Sequence, residues 1–316
     1  MMSLFYWFIW GDRFVKKTQL FLVEHLIMKK LMGQKRDFQN KLKPYLECKD
    51  FTVSGESYKV LFNPDYEMLV TSPVPEDLEK YYKSDDYISH TDSRKSFIDI
   101  IYHSVKRSTL RRKLALINSF NTKIKSILDI GAGTGDFLKI CAANNWNISG
   151  VEPNSDARKI SKTKGVLLKK ELDQLENKKF DVITLWHVLE HVENLSHYIF
   201  KLKQLLSDNG RLLIAVPNYK SYDAKYYKEF WAAFDVPRHL WHFSQQSIHK
   251  IFSKEQMSVE KIIPMKFDSF YVSLLSEKYK TGKMNLINAF YRGFVSNLKG
   301  KSTSEYSSLI YVIKKG

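Results

Sequence analysis

From position 123 onward, apolar runs of strand length alternate with amphipathic stretches. The runs cover 124–130, 146–151, 166–168, 180–185, 211–216, 259–263 and 309–313. Several are apolar throughout, as strands buried on both faces are. Between them, apolar residues recur at helical spacing over 136–144, 155–164, 195–206 and 244–253. The last of these opens on Ser244, whose hydroxyl is suited to capping the first free amides. Strands alternating with helices form a parallel sheet covered on both sides. The pattern therefore predicts an α/β fold with a seven-stranded, mostly parallel sheet flanked by helices.

Upstream, Ile98, Ile101, Val105, Leu110, Leu114 and Ile117 share one helical face over 97–118, which predicts a helix leading into the main domain of 97–316. Residues 35–96 read as a small accessory region, with strand-like runs at 51–53 and 58–62 and a turn bounded by Pro73 and Pro75. Two connections, 218–243 and 267–306, exceed the usual loop length of a compact domain and read as a lid and an insertion.

Residues 1–34 form an extension, helical or disordered. Its apolar, aromatic run at 4–10 precedes Arg13, Lys16 and Lys17, whereas a signal peptide carries its charge before the apolar stretch. The run is also shorter than the ~20 apolar residues of a spanning helix. What it allows is a peripheral membrane contact through the N-terminus, with Trp7 and Trp10 at headgroup level, or a plain docking helix. Met28 offers an alternative start for the chain. Hydrophobic content of 44% and aromatic content of 14% suit a packed domain. The formal net charge of +16 brings phosphates to mind, but lysines are scattered along the chain, whereas a nucleic-acid site concentrates its cations on one face. With only Cys48 and Cys141, a disulfide framework and a four-cysteine metal site are excluded, which fits a cytoplasmic setting.

The chemistry concentrates in SILDIGAGTGDFL, residues 126–138, a strand ending in Asp129 and a glycine loop before a helix. Gly131, Gly133 and Gly135 let backbone approach a ligand where a Cβ would intrude. Their GxGxG spacing departs from the dinucleotide fingerprint, which needs glycine where Asp136 stands, and a phosphate-loop lysine is absent. Glu152, closing the next strand in SGVEPN, can accept hydrogen bonds from both hydroxyls of a ribose.

ILDIGAGTGDF, GVEPN, FDVITLWHVLEHV and LLSDNGRLLIAVPN together resemble the class I S-adenosylmethionine-dependent methyltransferases, in particular the branch of the ubiquinone-biosynthesis O-methyltransferases. The resemblance implies a Rossmann-like sheet and S-adenosyl-L-methionine as cofactor. It implies that Asp129, Gly131, Gly133 and Gly135 hold the methionine part of the donor and Glu152 the ribose, with Ala132 and Pro153 also at the cofactor. Leu172 would lie near adenine, and Trp186 with His187 would line the cofactor beyond the fourth strand. The segment DVPRHLWHFS resembles the substrate side of the same branch. Related enzymes often carry two CxxC pairs in the N-terminal region; here Asn63 and Tyr66 stand at one pair's positions, so no metal is expected there. His187 also replaces the acidic residue that joins a Glu-His pair at the quinone enzymes' magnesium site, and magnesium prefers oxygen ligands. The expected metal set is therefore none.

Methyl transfer to oxygen is helped by a base near neutrality, and His191, His239 and His242 are the candidates. Trp186, Phe230, Trp231, Phe234 and Trp241 are candidates for an aromatic wall around the sulfonium. The expected acceptor is a small or lipid-like molecule. Methylation of nucleic acid or protein is a second reading, although TLWH does not resemble the Pro-Pro-Tyr or Pro-Cys motifs of base methyltransferases. A binder that keeps the donor pocket without turnover is a third. The acceptor's identity and the oligomeric state are not written in the sequence.

Overall fold

The computed structural model describes residues 38–82, 97–175 and 178–316, with side chains from 105 onward in the first helix. The extension over 1–34, including its aromatic run, and the end of the accessory region therefore lie outside the described residues.

The main domain opens on helix α1, Phe97–Asn118, as its spacing predicts. Strands β4 (Ser126–Ile130), β5 (Asn147–Val151), β6 (Phe180–Trp186), β7 (Leu206–Pro217), β9 (Met257–Pro264) and β10 (Ser308–Lys315) form one sheet of order β5-β4-β6-β7-β10-β9. β4 to β7 pair in parallel, and β10 is antiparallel to both β7 and β9. Helices α2 (Asp136–Ala142), α3 (Ser155–Thr163), α4 (Leu195–Leu205) and α6 (Gln245–Ser253) cover it. Ser244 caps α6 as expected, in a reciprocal pair with Ser247.

Where seven strands were expected, this sheet has six, because 166–168 forms no strand. Only the bridge between Val151 and Lys169 remains of it. Leu167 is 77% exposed, so the run lacks the second buried face that a strand beyond β5 would need.

A second sheet has the order β1-β2-β3-β8. Its strands are β1 (Lys43–Lys49), β2 (Ser57–Asn63), β3 (Met68–Ser72) and β8 (Trp241–His242), so a two-residue piece from far along the chain completes the accessory region. The strand expected at 51–53 is instead a turn. The buried Asp50 carboxylate accepts from the amides of Thr52, Val53 and Ser54 and from two hydroxyls, which satisfies the backbone without a sheet partner. At the lost cysteine positions, Asn63 Oδ1 accepts from the amides of Asp65 and Tyr66, closing the β2–β3 turn with a side chain. The Cys48 thiol, pushed up to about 12 by burial, donates to the Glu229 carbonyl.

The connection over 218–243 carries α5, Tyr222–Tyr227, and is deeply packed. Trp231 and Phe234 are each 1% exposed and share a core with Tyr58, Val60 and Leu69 of the accessory sheet. The insertion is a helical hairpin, α7 (Asp268–Thr281) and α8 (Leu286–Thr303).

Candidate functional site

In an open parallel sheet, ligands bind at the carboxyl ends of the strands where the order reverses. Here β4 lies between β5 and β6, so the reversal falls at its end, at Asp129 and the glycine loop. The loop is pinned by the Gly131 and Ala132 amides, which both donate to the Val151 carbonyl at 2.8 and 3.0 Å. Gly131, Gly133 and Gly135 all have positive φ, which an L side chain resists. Their surroundings differ. A Cβ on Gly135 would stand 3.0 Å from Ser161 and 3.2 Å from Val166, and one on Gly131 would meet Val188. A Cβ on Gly133 would meet nothing within 4 Å, so that backbone faces open space.

Glu152 reaches back to this loop. One carboxylate oxygen accepts from the Gly133 amide and the other from the Asn154 amide, each at 2.8 Å. Pro153 follows it, and Asn154 caps α3. Asp129 is 2% exposed and accepts from the Thr184 hydroxyl on β6 at 2.6 Å. Burial pushes its carboxyl up to about 6, although Thr184 and the Lys113 ammonium pull the other way. Burial in turn pulls Lys113 down to about 8. Its Nζ sits 4.0 Å from the centre of the Trp186 ring, a cation–π contact at the end of β6. The Trp186 indole N–H is buried without a hydrogen-bond partner. Leu172 is buried in the same hydrophobic core as Leu128 and Val151.

His187, expected to line the cofactor, is turned towards carboxylates. Nε2 lies 3.1 Å from Asp268 and Nδ1 lies 3.3 Å from Glu190. Burial alone would lower its pKa, but these two acids reverse that and raise it to about 10. It is thereby an imidazolium that ties the end of β6 to the start of α7.

The three candidate bases converge. The His191 and His239 rings meet edge to face with centroids 4.6 Å apart, and His242 lies 6.4 Å from His239. His191 Nδ1 is 3.0 Å from the Arg238 carbonyl and His239 Nδ1 is 2.9 Å from the Ala233 carbonyl. A carbonyl only accepts, so His239 Nδ1 carries the proton and Nε2 is its basic nitrogen, whereas His191 Nδ1 also lies 3.0 Å from the Tyr82 hydroxyl, a group that can donate or accept. The Thr71 hydroxyl donates to the His239 carbonyl, so at 3.0 Å it must accept from His242 Nε2. Burial first, then His239, depresses His191 to about 4 and His242 to about 3, so both are neutral near pH 7. Glu190, 1% exposed, lies beside them, its carboxylate ion-paired with His187 at 3.3 Å. Burial would raise it, and His187 with the other histidines holds it below the ordinary value instead. One ligand atom each of Glu190, His191 and His239 lies within 4.8 Å of the others, a grouping able to hold a proton or a divalent cation.

The aromatic candidates separate. Trp231 donates to the buried Asp223, Trp241 donates to the Val192 carbonyl, and Phe230 lies beside Phe51 at the accessory turn. Trp186 alone among them stands beside the glycine-loop helix, edge to face with Phe137. Sequence reasoning missed Lys113 and Thr184. Lys113 was hidden in the helical periodicity of α1, and only the polar position within an apolar strand could have singled out Thr184.

Residues 102–261, half of the chain, match the model of a methyltransferase domain family. The chain is 30% identical over 152 residues to the ubiquinone biosynthesis O-methyltransferase of Rickettsia canadensis (strain McKiel), a match covering 45% of this chain and 63% of that protein. It is 29% identical over 152 residues to the protein of the same name from Rickettsia prowazekii (strain Madrid E), covering 45% and 59%. It thus spans about three fifths of the length of these curated relatives. Among solved structures it resembles magnesium protoporphyrin IX methyltransferase from Synechocystis PCC 6803, with a TM-score of 0.51 and 16% identity over 74% of this chain and 97% of that one, a likeness of fold. With a sheet whose order reverses at a glycine loop facing the next strand's carboxylate, and half its length matched by the family model, the chain belongs to the methyltransferase domain family.

Proposed function

We propose that this protein transfers a methyl group from S-adenosyl-L-methionine to the oxygen or carbon of a small-molecule or lipid-like acceptor. The observation that carries the reading is the open backbone at Gly133 joined to the Glu152 carboxylate, one strand from the buried Asp129. This cradle fits an adenosyl donor. It has room where a side chain would intrude, a carboxylate to exchange its amide bonds for ribose hydroxyls, and an unpartnered indole N–H at Trp186. When bound, the donor supplies an electrophilic methyl on a sulfonium. Asp129 would hold its ammonium end and Lys113 its carboxylate, so that opposite charges fix the donor's direction. Leu172, at the core edge, would meet adenine.

On the acceptor side, His239 is the favoured proton acceptor. Its Nδ1 proton is fixed on a carbonyl, leaving Nε2 basic, whereas His191 is held neutral too strongly to compete. Buried Glu190 stabilises the imidazolium that forms. His242, bonded through Nε2 to Thr71, positions the strand that presents His239. The names of the Rickettsia relatives support oxygen as the methylated atom. The scattered lysines do not favour a nucleic-acid acceptor.

The experiment is incubation of the protein with methyl-labelled donor and, separately, a lipid extract, total RNA and a protein extract. Label in the organic phase is expected, with a His239→Asn variant losing turnover while binding the donor normally. Label only in RNA or protein, or in nothing, would overturn the reading.

A further inference from the structure

Helix α8 is built inside out. Its small residues Ala289, Gly293, Ser296 and Gly300 are buried, while Leu286, Ile287, Phe290, Tyr291, Phe294 and Leu298 are each at least half exposed, Ile287 to 85%. At 100° per residue these six cover about 140° of one face. Rolling the helix cannot hide them. A Cβ on Gly293 would come within 3.0 Å of the Phe270 backbone and one on Gly300 within 3.0 Å of Tyr306, so only the small-residue face fits against the protein. Contiguous apolar patches of this kind mark an interaction surface.

Charge decides the partner. From position 269 to 304 the basic residues are Lys278, Lys280, Lys283, Arg292, Lys299 and Lys301. The sole acid there, Glu277, is 2% exposed and accepts from Tyr227 and Asn288. Lys280 and Arg292 are held over the Tyr226 ring, whereas Lys301 falls within the apolar arc and Lys278 and Lys283 are exposed at the end of α7 and the turn before α8. An apolar face with these lysines beside it suits an anionic lipid surface, whereas two copies meeting through it would oppose like charges. No helix among the described residues is long and apolar enough to cross a membrane.

We propose that the α7–α8 hairpin docks flat on the anionic surface of a lipid bilayer, with Ile287, Phe290 and Phe294 entering the acyl boundary and the lysines meeting headgroups. This surface is separate from the donor cradle and stands whether or not the assigned reaction is correct.

The test is flotation of the full chain with vesicles of phosphatidylcholine alone or mixed with phosphatidylglycerol, beside its sedimentation without lipid. The wild type is expected to float with the mixed vesicles, weakly with the neutral ones, and less in high salt. Ile287→Ser with Phe294→Ser should lower partitioning at least about tenfold, with thermal unfolding nearly unchanged because both side chains are at least half exposed. Lys278→Gln with Lys283→Gln and Lys301→Gln should remove the preference for anionic lipid. A wild type that does not float, or a double Ser variant that floats equally, overturns the proposal. So does a wild-type dimer that the Ser substitutions split, which would assign the face to a second copy.

Discussion

Asp129 and the histidines are where single ionisations carry the most consequence. Burial raises Asp129 to about 6, above its unfolded value. Its contribution to folding is therefore fully present below about pH 4 and lost as the pH rises through about 6. Donor binding should run the opposite way, because the ammonium and sulfonium favour an ionised carboxylate. We predict that affinity for the donor strengthens between about pH 5 and about pH 7, and that Asp129→Asn flattens the profile, both readable by calorimetry in matched buffers. The imidazoles should separate widely in a proton NMR titration. His187 should remain protonated at about pH 8.5, while His191 and His242 should already be neutral at about pH 6. Titration of all of them together near the ordinary histidine value would show that the Asp268 and Glu190 contacts of His187 are absent in solution. The stability His187 contributes is present below its unfolded value and is lost as the pH rises through about 10.

The glycine loop between β4 and α2 shows how one element divides packing from binding. Gly135→Ala would place a methyl 3.0 Å from Ser161 at a φ of +76° and should cost roughly 2–3 kcal/mol of stability. Gly133→Ala has φ of +53° but open space around it, so it should cost only about 1 kcal/mol of stability while weakening donor binding more strongly. Denaturant unfolding and calorimetry on the two variants separate these effects. Much of this element was legible in the sequence, because a buried strand, glycines and a following helix are local signals; α1 and the cap at Ser244 were legible for the same reason. What escaped depended on partners distant in the chain. β1 reads as KPYLECK with weak alternation, β3 is five residues long, and β8 is two residues, each held by pairing that no window reveals. Likewise, the run at 51–53 has the residue types of a strand, but Asp50 satisfies its amides first. His191, His239 and His242 were each legible as candidate bases from residue type alone. Their meeting, and the buried Glu190 against them, needed the fold, since 49 residues separate Glu190 from His239.

Across the whole molecule, the 218–243 connection, the hairpin and the residue leading into β10 are joined through a buried carboxylate, while the accessory sheet meets the same segment through apolar packing. Asp223, fully buried, accepts from Trp231 Nε1 at 2.8 Å and from the Ser296 and Ser307 hydroxyls, each at 2.6 Å. Asp223→Ala strands three donors and should cost about 3 kcal/mol, with hydrogen exchange rising in α5 and α8 before β4. The segment over 218–243 is thus packed against both sheets, and access to the histidine cluster would depend on movement of this shared unit rather than of a free loop. The central claim remains the donor cradle, and the most direct measurement is calorimetric binding of S-adenosylhomocysteine to the wild type and to Glu152→Ala. The account predicts saturable one-site binding to the wild type and an affinity at least about tenfold weaker in the variant. Absence of binding to the folded wild type, or equal binding to both proteins, would contradict it.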